Sequence, residues 1–107
     1  MTFTSLLQDK RLTILLSGEI DHHSARETME AVTEKIRVYL PRYCELDFGA
    51  VTFMDSSGIA LVIHTLRAMN ELGGKLRLTS VPPQPRKVLL ASGIQNLVAL
   101  SQERSPA

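Results

Sequence analysis

The feature that most constrains the fold is a repeated change of apolar period along the chain. Short runs with strand character alternate with stretches in which apolar residues recur every three or four positions, the helical period. In the first helical stretch, which ends before Pro41, these residues are Ala25, Met29, Val32, Ile36 and Leu40. Strands that alternate with helices predict parallel pairing through right-handed crossovers, and therefore an α/β fold.

Two apolar runs near the beginning of the chain, residues 3–8 and 12–17, predict neighbouring antiparallel strands. The charged residues 9–11 between them indicate the turn of a hairpin.

A third strand is indicated by the alternation of apolar residues at 44, 46 and 48 with the charged residues Glu45 and Asp47. We expect the two carboxylates to lie on an exposed face or at a strand end, because an unpaired buried charge is costly. Residues 49–54 are predicted to form a short link to the next helix.

The second half of the chain predicts two further helices and two further strands. The second helix has one apolar stripe and ends at Gly73 and Gly74. Leu76 and Leu78 mark a strand, and the prolines at 82–85 begin a short helix that Gly93 ends. Residues 97–100 form a last strand. The predicted order is ββαβαβαβ, a mixed sheet with helices. The stripe of the second helix consists of Ile59, Val62, Ile63, Leu66, Met69 and Leu72.

Length and charge predict one domain without an electrostatically obvious partner. We expect a single domain over residues 1–100 and a flexible polar tail over 101–107. Twelve lysines and arginines against eleven acids form no basic stripe, so we expect no direct nucleic-acid partner and no membrane partner. The single Cys44 forms no internal disulfide. With no apparent signal peptide or membrane span, the expected location is cytoplasmic.

The residues with functional character lie in two loops that precede helices. These are residues 18–24 and 53–58, both expected at the carboxyl ends of parallel strands, where ligands and partners usually meet an α/β sheet. Asp55 is a good helix N-cap, with Met54 placed to pack on Ile59. A serine beside it, Ser56, could simply belong to the cap or could carry a phosphate, which a helix N-terminus tolerates.

The segments GEIDHHSA at 18–25, FMDSSGIALVI at 53–63 and GGKL at 73–76 resemble the bacterial anti-sigma-factor antagonists of the STAS domain class, sporulation type. The resemblance implies that Ser56, the first serine of DSSG, is phosphorylated by an anti-sigma factor that is itself a protein kinase. It also implies a phosphoserine phosphatase that resets the cycle. The chain would be a substrate and binding protein, not an enzyme. The unphosphorylated form would capture the anti-sigma factor and free a sigma factor. The expected partner-binding residues are Asp21, His22, Phe53, Met54, Asp55, Ser57 and Gly58.

The chain departs from the family pattern at two places. Ala60 and His64 make the second helix stiffer than the glycine-richer helix of the family. The C-terminal helix of the family is apparently missing, since only the polar residues 101–107 follow the last strand. That absence mildly favours an alternative function, as a STAS subunit of a larger stress-signalling or scaffold assembly.

Two other kinds of site receive little support from the residues. His22 and His23 beside Asp21 are adjacent in sequence and diverge in direction, so no metal site is predicted. A serine hydrolase with Ser56 as the nucleophile is a remote alternative, because no G-x-S-x-G elbow is present. Neither a P-loop nor G-x-G-x-x-G occurs, and no cofactor is expected.

Overall fold

The computed structural model describes residues 1–101, which form one five-stranded sheet in the order β1-β2-β3-β4-β5. Strands β1 and β2 are an antiparallel hairpin, and β2 to β5 are mutually parallel. The observed order confirms the predicted ββαβαβαβ arrangement and adds a 3₁₀ turn. The elements are β1 (Thr2–Gln8), β2 (Arg11–Ile20), α1 (His22–Tyr39), β3 (Tyr43–Met54), α2 (Ser57–Glu71), β4 (Lys75–Thr79), α3 (Pro83–Ser92), the 3₁₀ turn (Ile94–Asn96) and β5 (Ala99–Leu100).

One face of the sheet carries the core. Each crossover from β2 to β5 advances in the same direction across the sheet, so right-handed connections put all three helices on one side. Strand residues that face this side are buried, and one face of each of α1 and α2 packs onto them. These faces differ in part from the predicted stripes, because Leu40 and Leu72 are exposed at the helix ends. The buried helix residues are Ala25, Thr28, Val32 and Ile36 of α1 and Gly58, Leu61, Val62, Thr65 and Met69 of α2. The largest fully buried strand side chains are Leu12, Ile14, Leu16, Ile20, Leu46, Phe48, Met54 and Leu78.

The sequence interpretation of residues 49–54 as a link is wrong, because β3 continues without interruption to Met54. Pairing with β2 holds this extension in the sheet as far as the register pair Ile20 and Met54. Two register shifts, between Leu15 and Ser17 and between Gly18 and Glu19, accommodate the extra residues of β3.

The expected exposure of Glu45 and Asp47 is also wrong. Their exposed fractions are 4% and 1%, because β3 is the central strand, with β2 and β4 on either side. Hydrogen bonds compensate part of the cost of burial. The Thr79 hydroxyl donates to Glu45 Oε2 at 3.0 Å, and the Gly49 N–H donates to Asp47 Oδ1 at 2.8 Å.

The last predicted strand is shorter than expected. Only Ala99–Leu100 pairs with β4, and Leu97 is exposed after the 3₁₀ turn. Ser101 continues the chain, with its N–H donating to the Leu78 carbonyl at 2.8 Å. The rest of the predicted tail, and the prediction about a missing C-terminal helix, lie outside the described residues. None of the helices within residues 1–101 has the length and apolar character needed to cross a membrane.

Candidate functional site

The two segments with functional character, residues 18–24 and 53–58, meet at the carboxyl ends of β2 and β3. The connections themselves are shorter than predicted, because only Asp21 lies between β2 and α1, and only Asp55 and Ser56 lie between β3 and α2. Ile20 and Met54 are register neighbours, and the Asp55 N–H donates to the Ile20 carbonyl at 3.1 Å. One strand register therefore fixes the position of residues 18–24 relative to residues 53–58. We call this end of the domain, formed by those two loops, the switch end.

Asp21 begins α1 and is held by a dense set of hydrogen bonds. Its Oδ1 accepts from the backbone N–H of Ser24 at 3.0 Å, the Ser24 hydroxyl at 2.9 Å and the His23 N–H at 3.1 Å. The two bonds from Ser24 are the largest causes that lower the pKa of Asp21 below its ordinary value. The carboxylate therefore stays ionised and caps α1.

The two histidines lie in the exposed first turn of α1. The rings of His22 and His23 are 6.0 Å apart, edge to face. Within residues 1–101 no group of three or more His, Cys, Asp or Glu side chains is arranged to hold a metal ion. His22 stays a predicted partner contact on the exposed side of this loop.

Asp55 caps the start of α2. Its Oδ1 accepts from the Ser57 N–H at 2.8 Å, and its carbonyl accepts from the Gly58 N–H at 3.1 Å. Ser56 occupies the position before the helix, with no hydrogen bond from its side chain to the first turn. The Ile59 N–H donates to the Ser56 carbonyl at 3.0 Å. The amides of residues 57–59 are thus engaged in hydrogen bonds within the protein.

Ser56 is exposed, whereas Ser57 is half-buried. Within the described residues the Ser56 hydroxyl has no hydrogen-bond partner. Its surroundings are acidic, because loops 18–24 and 53–58 contain Glu19, Asp21 and Asp55 and no lysine or arginine. This geometry leaves the Ser56 hydroxyl accessible from solvent.

Of the apolar residues predicted to bind a partner, only Phe53 is on the surface, with 44% of it exposed. Met54 is fully buried and Gly58 is buried, so neither touches a partner in this conformation. A Cβ atom on Gly58 would lie closer to Met54 Cγ and Sδ than the sum of the van der Waals radii allows. Of the two possibilities for Met54, exposed anchor or support beneath the loop, the structure therefore has the second.

Gln84, in the first turn of α3, is a site residue that the sequence interpretation missed. Its side-chain amide pairs with the backbone of Met54 at both positions. The Met54 N–H donates to Gln84 Oε1 and Gln84 Nε2 donates to the Met54 carbonyl, each at 2.8 Å. No local sequence signal predicts a contact across thirty residues. The pair fastens the carboxyl end of β3 to α3.

The comparisons with known proteins agree with this architecture. The STAS domain model matches residues 6–107. The anti-sigma F factor antagonist of Lysinibacillus sphaericus is 30% identical over 83 residues, which cover 78% of this chain and 71% of that protein. The anti-sigma F factor antagonist of Paenibacillus polymyxa is 28% identical over 89 residues, with coverage of 83% and 76%.

Solved structures give the same result. The anti-sigma factor antagonist SpoIIAA in its unphosphorylated form superposes with a TM-score of 0.81 at 27% identity, covering 92% of this chain and 87% of that one. The phosphorylated form of SpoIIAA from Bacillus superposes at 0.72 with 27% identity, covering 92% and 90%. The resemblance seen in the motifs is thereby confirmed along nearly the whole chain, and the protein belongs to the STAS domain family.

Proposed function

We propose that this protein is an anti-sigma factor antagonist whose binding is switched off by phosphorylation of Ser56. The unphosphorylated form binds a kinase-type anti-sigma factor in the cytoplasm and releases a sigma factor. The kinase uses the bound antagonist as its substrate, and a phosphoserine phosphatase restores the active form. The protein itself catalyses no reaction. Relatives named anti-sigma F factor antagonists support the binding role.

The single observation that carries the proposal is the exposure of Ser56 at the start of α2 without a structural hydrogen bond from its side chain. A kinase must reach the hydroxyl and place it in line with a phosphoryl donor. Ser56 meets the first condition, whereas half-buried Ser57 meets it poorly. The relative SpoIIAA is known in phosphorylated and unphosphorylated forms, which supports the same kind of switch here.

The partner surface that we propose consists of exposed or half-buried groups around Ser56. Phe53 is the apolar contact, and its neighbour across the strands is Glu19. Asp21, Asp55, His22 and Ser57 supply polar contacts. Met54 and Gly58 contribute indirectly, because their buried contact supports residues 53–58 from the core side.

Phosphorylation acts in this proposal through local charge. The phosphate adds about −1.5 to −2 charges at neutral pH on a surface that already contains Glu19, Asp21 and Asp55. A partner fitted to a neutral hydroxyl then meets repulsion and a desolvation cost. A loss of about 2 to 4 kcal/mol in binding free energy weakens affinity roughly 30- to 1,000-fold. The buried face of α2 lies beneath this surface, so the phosphate does not disturb it.

The test uses the protein, the cognate kinase-type anti-sigma factor and ATP. Peptide mass spectrometry should locate one phosphate at Ser56. Ser56→Ala should abolish incorporation while it retains binding to the kinase, and Ser57→Ala should still be phosphorylated. Titration of the phosphorylated form should show the loss of affinity given above. Unchanged phosphorylation of Ser56→Ala would remove this residue from the mechanism.

A second arm of the test examines the partner surface. Phe53→Ala should weaken capture of the anti-sigma factor about tenfold or more without loss of stability, since Phe53 packs only partly on the domain. Asp21→Asn removes the charge but retains an oxygen that can cap α1. It therefore separates a charged contact with the partner from the structural role of Asp21 as a helix cap. Normal affinity in both variants would locate the partner on another surface.

A further inference from the structure

The exposed large apolar side chains of residues 1–101 concentrate at the end of the domain opposite Ser56. Helices that follow parallel strands return to the amino ends of those strands, so the carboxyl ends of α1 and α2 lie beside the beginnings of β3 and β4. We call this the amino end. Phe53 is the exposed large apolar residue of the switch end, Leu6 and Leu7 lie on β1, and Leu90 lies on α3. The other six of the ten exposed large apolar residues lie at the amino end, and these are Val38, Tyr39, Leu40, Tyr43, Leu72 and Leu97.

Basic residues concentrate at the same end. Segments 9–11, 34–45 and 71–77 contain seven of the eleven lysines and arginines among residues 1–101. The same segments contain four acids, of which Glu45 is buried. The loops of the switch end contain three acids and no such cation. A net charge of +1 for the whole chain conceals this polarity, and for that reason the sequence interpretation missed it.

Two exposed tyrosines at the amino end carry cations against their rings. The Lys35 Nζ lies 5.9 Å from the ring centroid of Tyr39, and the Arg11 Cζ lies 5.7 Å from that of Tyr43. Aromatic rings with a polar tip and long cationic side chains are the residues that occupy the headgroup level of a bilayer. Protruding apolar residues beside them enter the region just below that level.

We propose that the amino end docks on an anionic lipid surface. Charge complementarity selects this occupant: phospholipid headgroups of negative charge match the cationic segments, whereas a second copy would bring like charges together. A protein interface of ordinary composition excludes lysine from its centre, and here Lys10, Lys35 and Lys75 belong to the segments that form the amino end. The proposal goes beyond the antagonist function and does not depend on it. It also revises the expectation of no membrane partner.

Docking in this orientation leaves the switch end accessible. The two ends are separated by the twelve residues of β3, on the order of 30 Å. That distance is several times the Debye length of about 8 Å at physiological ionic strength. Glu19, Asp21 and Asp55 therefore do not repel the lipid surface, and Ser56 faces away from it.

The experiment is sedimentation of the full chain with vesicles of 30% phosphatidylglycerol in phosphatidylcholine, compared with vesicles of phosphatidylcholine alone. We expect binding to the anionic vesicles only, and release by 0.5 M NaCl. Lys75→Glu should weaken binding at least fivefold, because each cation near the surface contributes about that factor. Val38→Ser should weaken it about three- to tenfold through lost apolar insertion.

The matched controls are Arg26→Glu, in α1 close to the switch end, and Phe53→Ser, in the switch end itself. They repeat the reversal of charge and the replacement of an exposed apolar side chain by serine. Both should leave vesicle binding unchanged. Circular dichroism verifies that all four variants fold. Absence of binding to anionic vesicles, equal binding to both vesicle types, or equal losses in the controls would overturn the proposal. So would a dimer in sedimentation velocity that Val38→Ser dissociates, because the face would then belong to a second copy.

Discussion

The contact between Gly58 and Met54 gives a quantitative test of how the core supports residues 53–58 of the switch end. A Cβ on Gly58 would lie closer to Met54 Cγ and Sδ than the sum of the van der Waals radii allows, and 3.0 Å from Met54 Cε. Restoring ordinary separations of about 3.5 Å or more requires the first two atoms to move by more than about 1 Å. Met54 has no exposed surface, so its atoms can move only by displacing other core atoms.

Gly58→Ala should therefore destabilise the domain. Overpacking of a buried site costs about 1–3 kcal/mol. The gain in helix propensity and the smaller unfolded-state entropy offset up to about 1 kcal/mol of this. We expect a net loss of roughly 1–2 kcal/mol in the free energy of unfolding, measured by urea denaturation with an unchanged m value.

A double-mutant cycle separates this contact from other effects of the substitution. Met54→Ala alone removes the obstructing atoms and leaves a cavity, at a cost of about 2–5 kcal/mol. The double variant should be more stable than the sum of the single losses predicts, by at least about 1 kcal/mol, because the new methyl group no longer meets Sδ. Gly73→Ala is the control: its φ of 70° makes it strained, but its Cβ would meet nothing, so it should add to Met54→Ala within about 0.5 kcal/mol. Additivity of Gly58→Ala with Met54→Ala would refute the packing argument.

Two further predictions concern titratable groups. Burial, and secondarily the nearby Glu45, raise the pKa of the Cys44 thiol to about 12. At pH 8 a thiol reagent should therefore react with the native protein at least about a thousandfold more slowly than with the protein unfolded in 6 M guanidinium. Rapid stoichiometric labelling of the native protein would contradict this. The hydrogen bonds that lower the pKa of Asp21 stabilise the folded state at pH values above the ordinary carboxylate pKa, and this contribution is lost as pH falls through the lower folded value. The thermal midpoint of Asp21→Asn should accordingly fall less than that of the unmodified protein between pH 5 and pH 2, and parallel curves would show that this carboxylate does not contribute.

The order of the elements could be predicted from the sequence because local signals determine it. The apolar stripes of α1 and α2 have a period that only a helix satisfies, and Gly93 ends α3 with a φ of 80°, in the left-handed region. The position of β3 in the centre of the sheet is a tertiary property. Once β2 and β4 flank it, Glu45 and Asp47 are enclosed, and partners such as Thr79 come from a different strand. Alternation alone therefore predicted the strand correctly and its environment wrongly.

The site was predictable to a similar extent. The sequence places residues 18–24 and 53–58 after strands, and right-handed topology brings them to one end of the sheet. Which side chains of the second loop reach solvent depends on the register shift between Gly18 and Glu19, which offsets the alternation. No pattern in the chain specifies that shift. As a result, the surface position of Phe53 and the burial of Met54 required the structure, as did the amide pair of Gln84.

Each residue of the segment Asp55-Ser56-Ser57-Gly58 has a different structural role. The Asp55 carboxylate holds the Ser57 amide, and Gly58 leaves room for Met54, which Gln84 fixes from the other side. Ser56 is the member of this segment that is exposed and whose side chain makes no hydrogen bond within the described residues. A group added there meets solvent and leaves every supporting contact in place. Hydrogen bonds already fix the backbone on either side of Ser56, so we expect a partner to incur little ordering cost on binding. In the proposed switch, a charge at Ser56 therefore changes affinity without a change of fold.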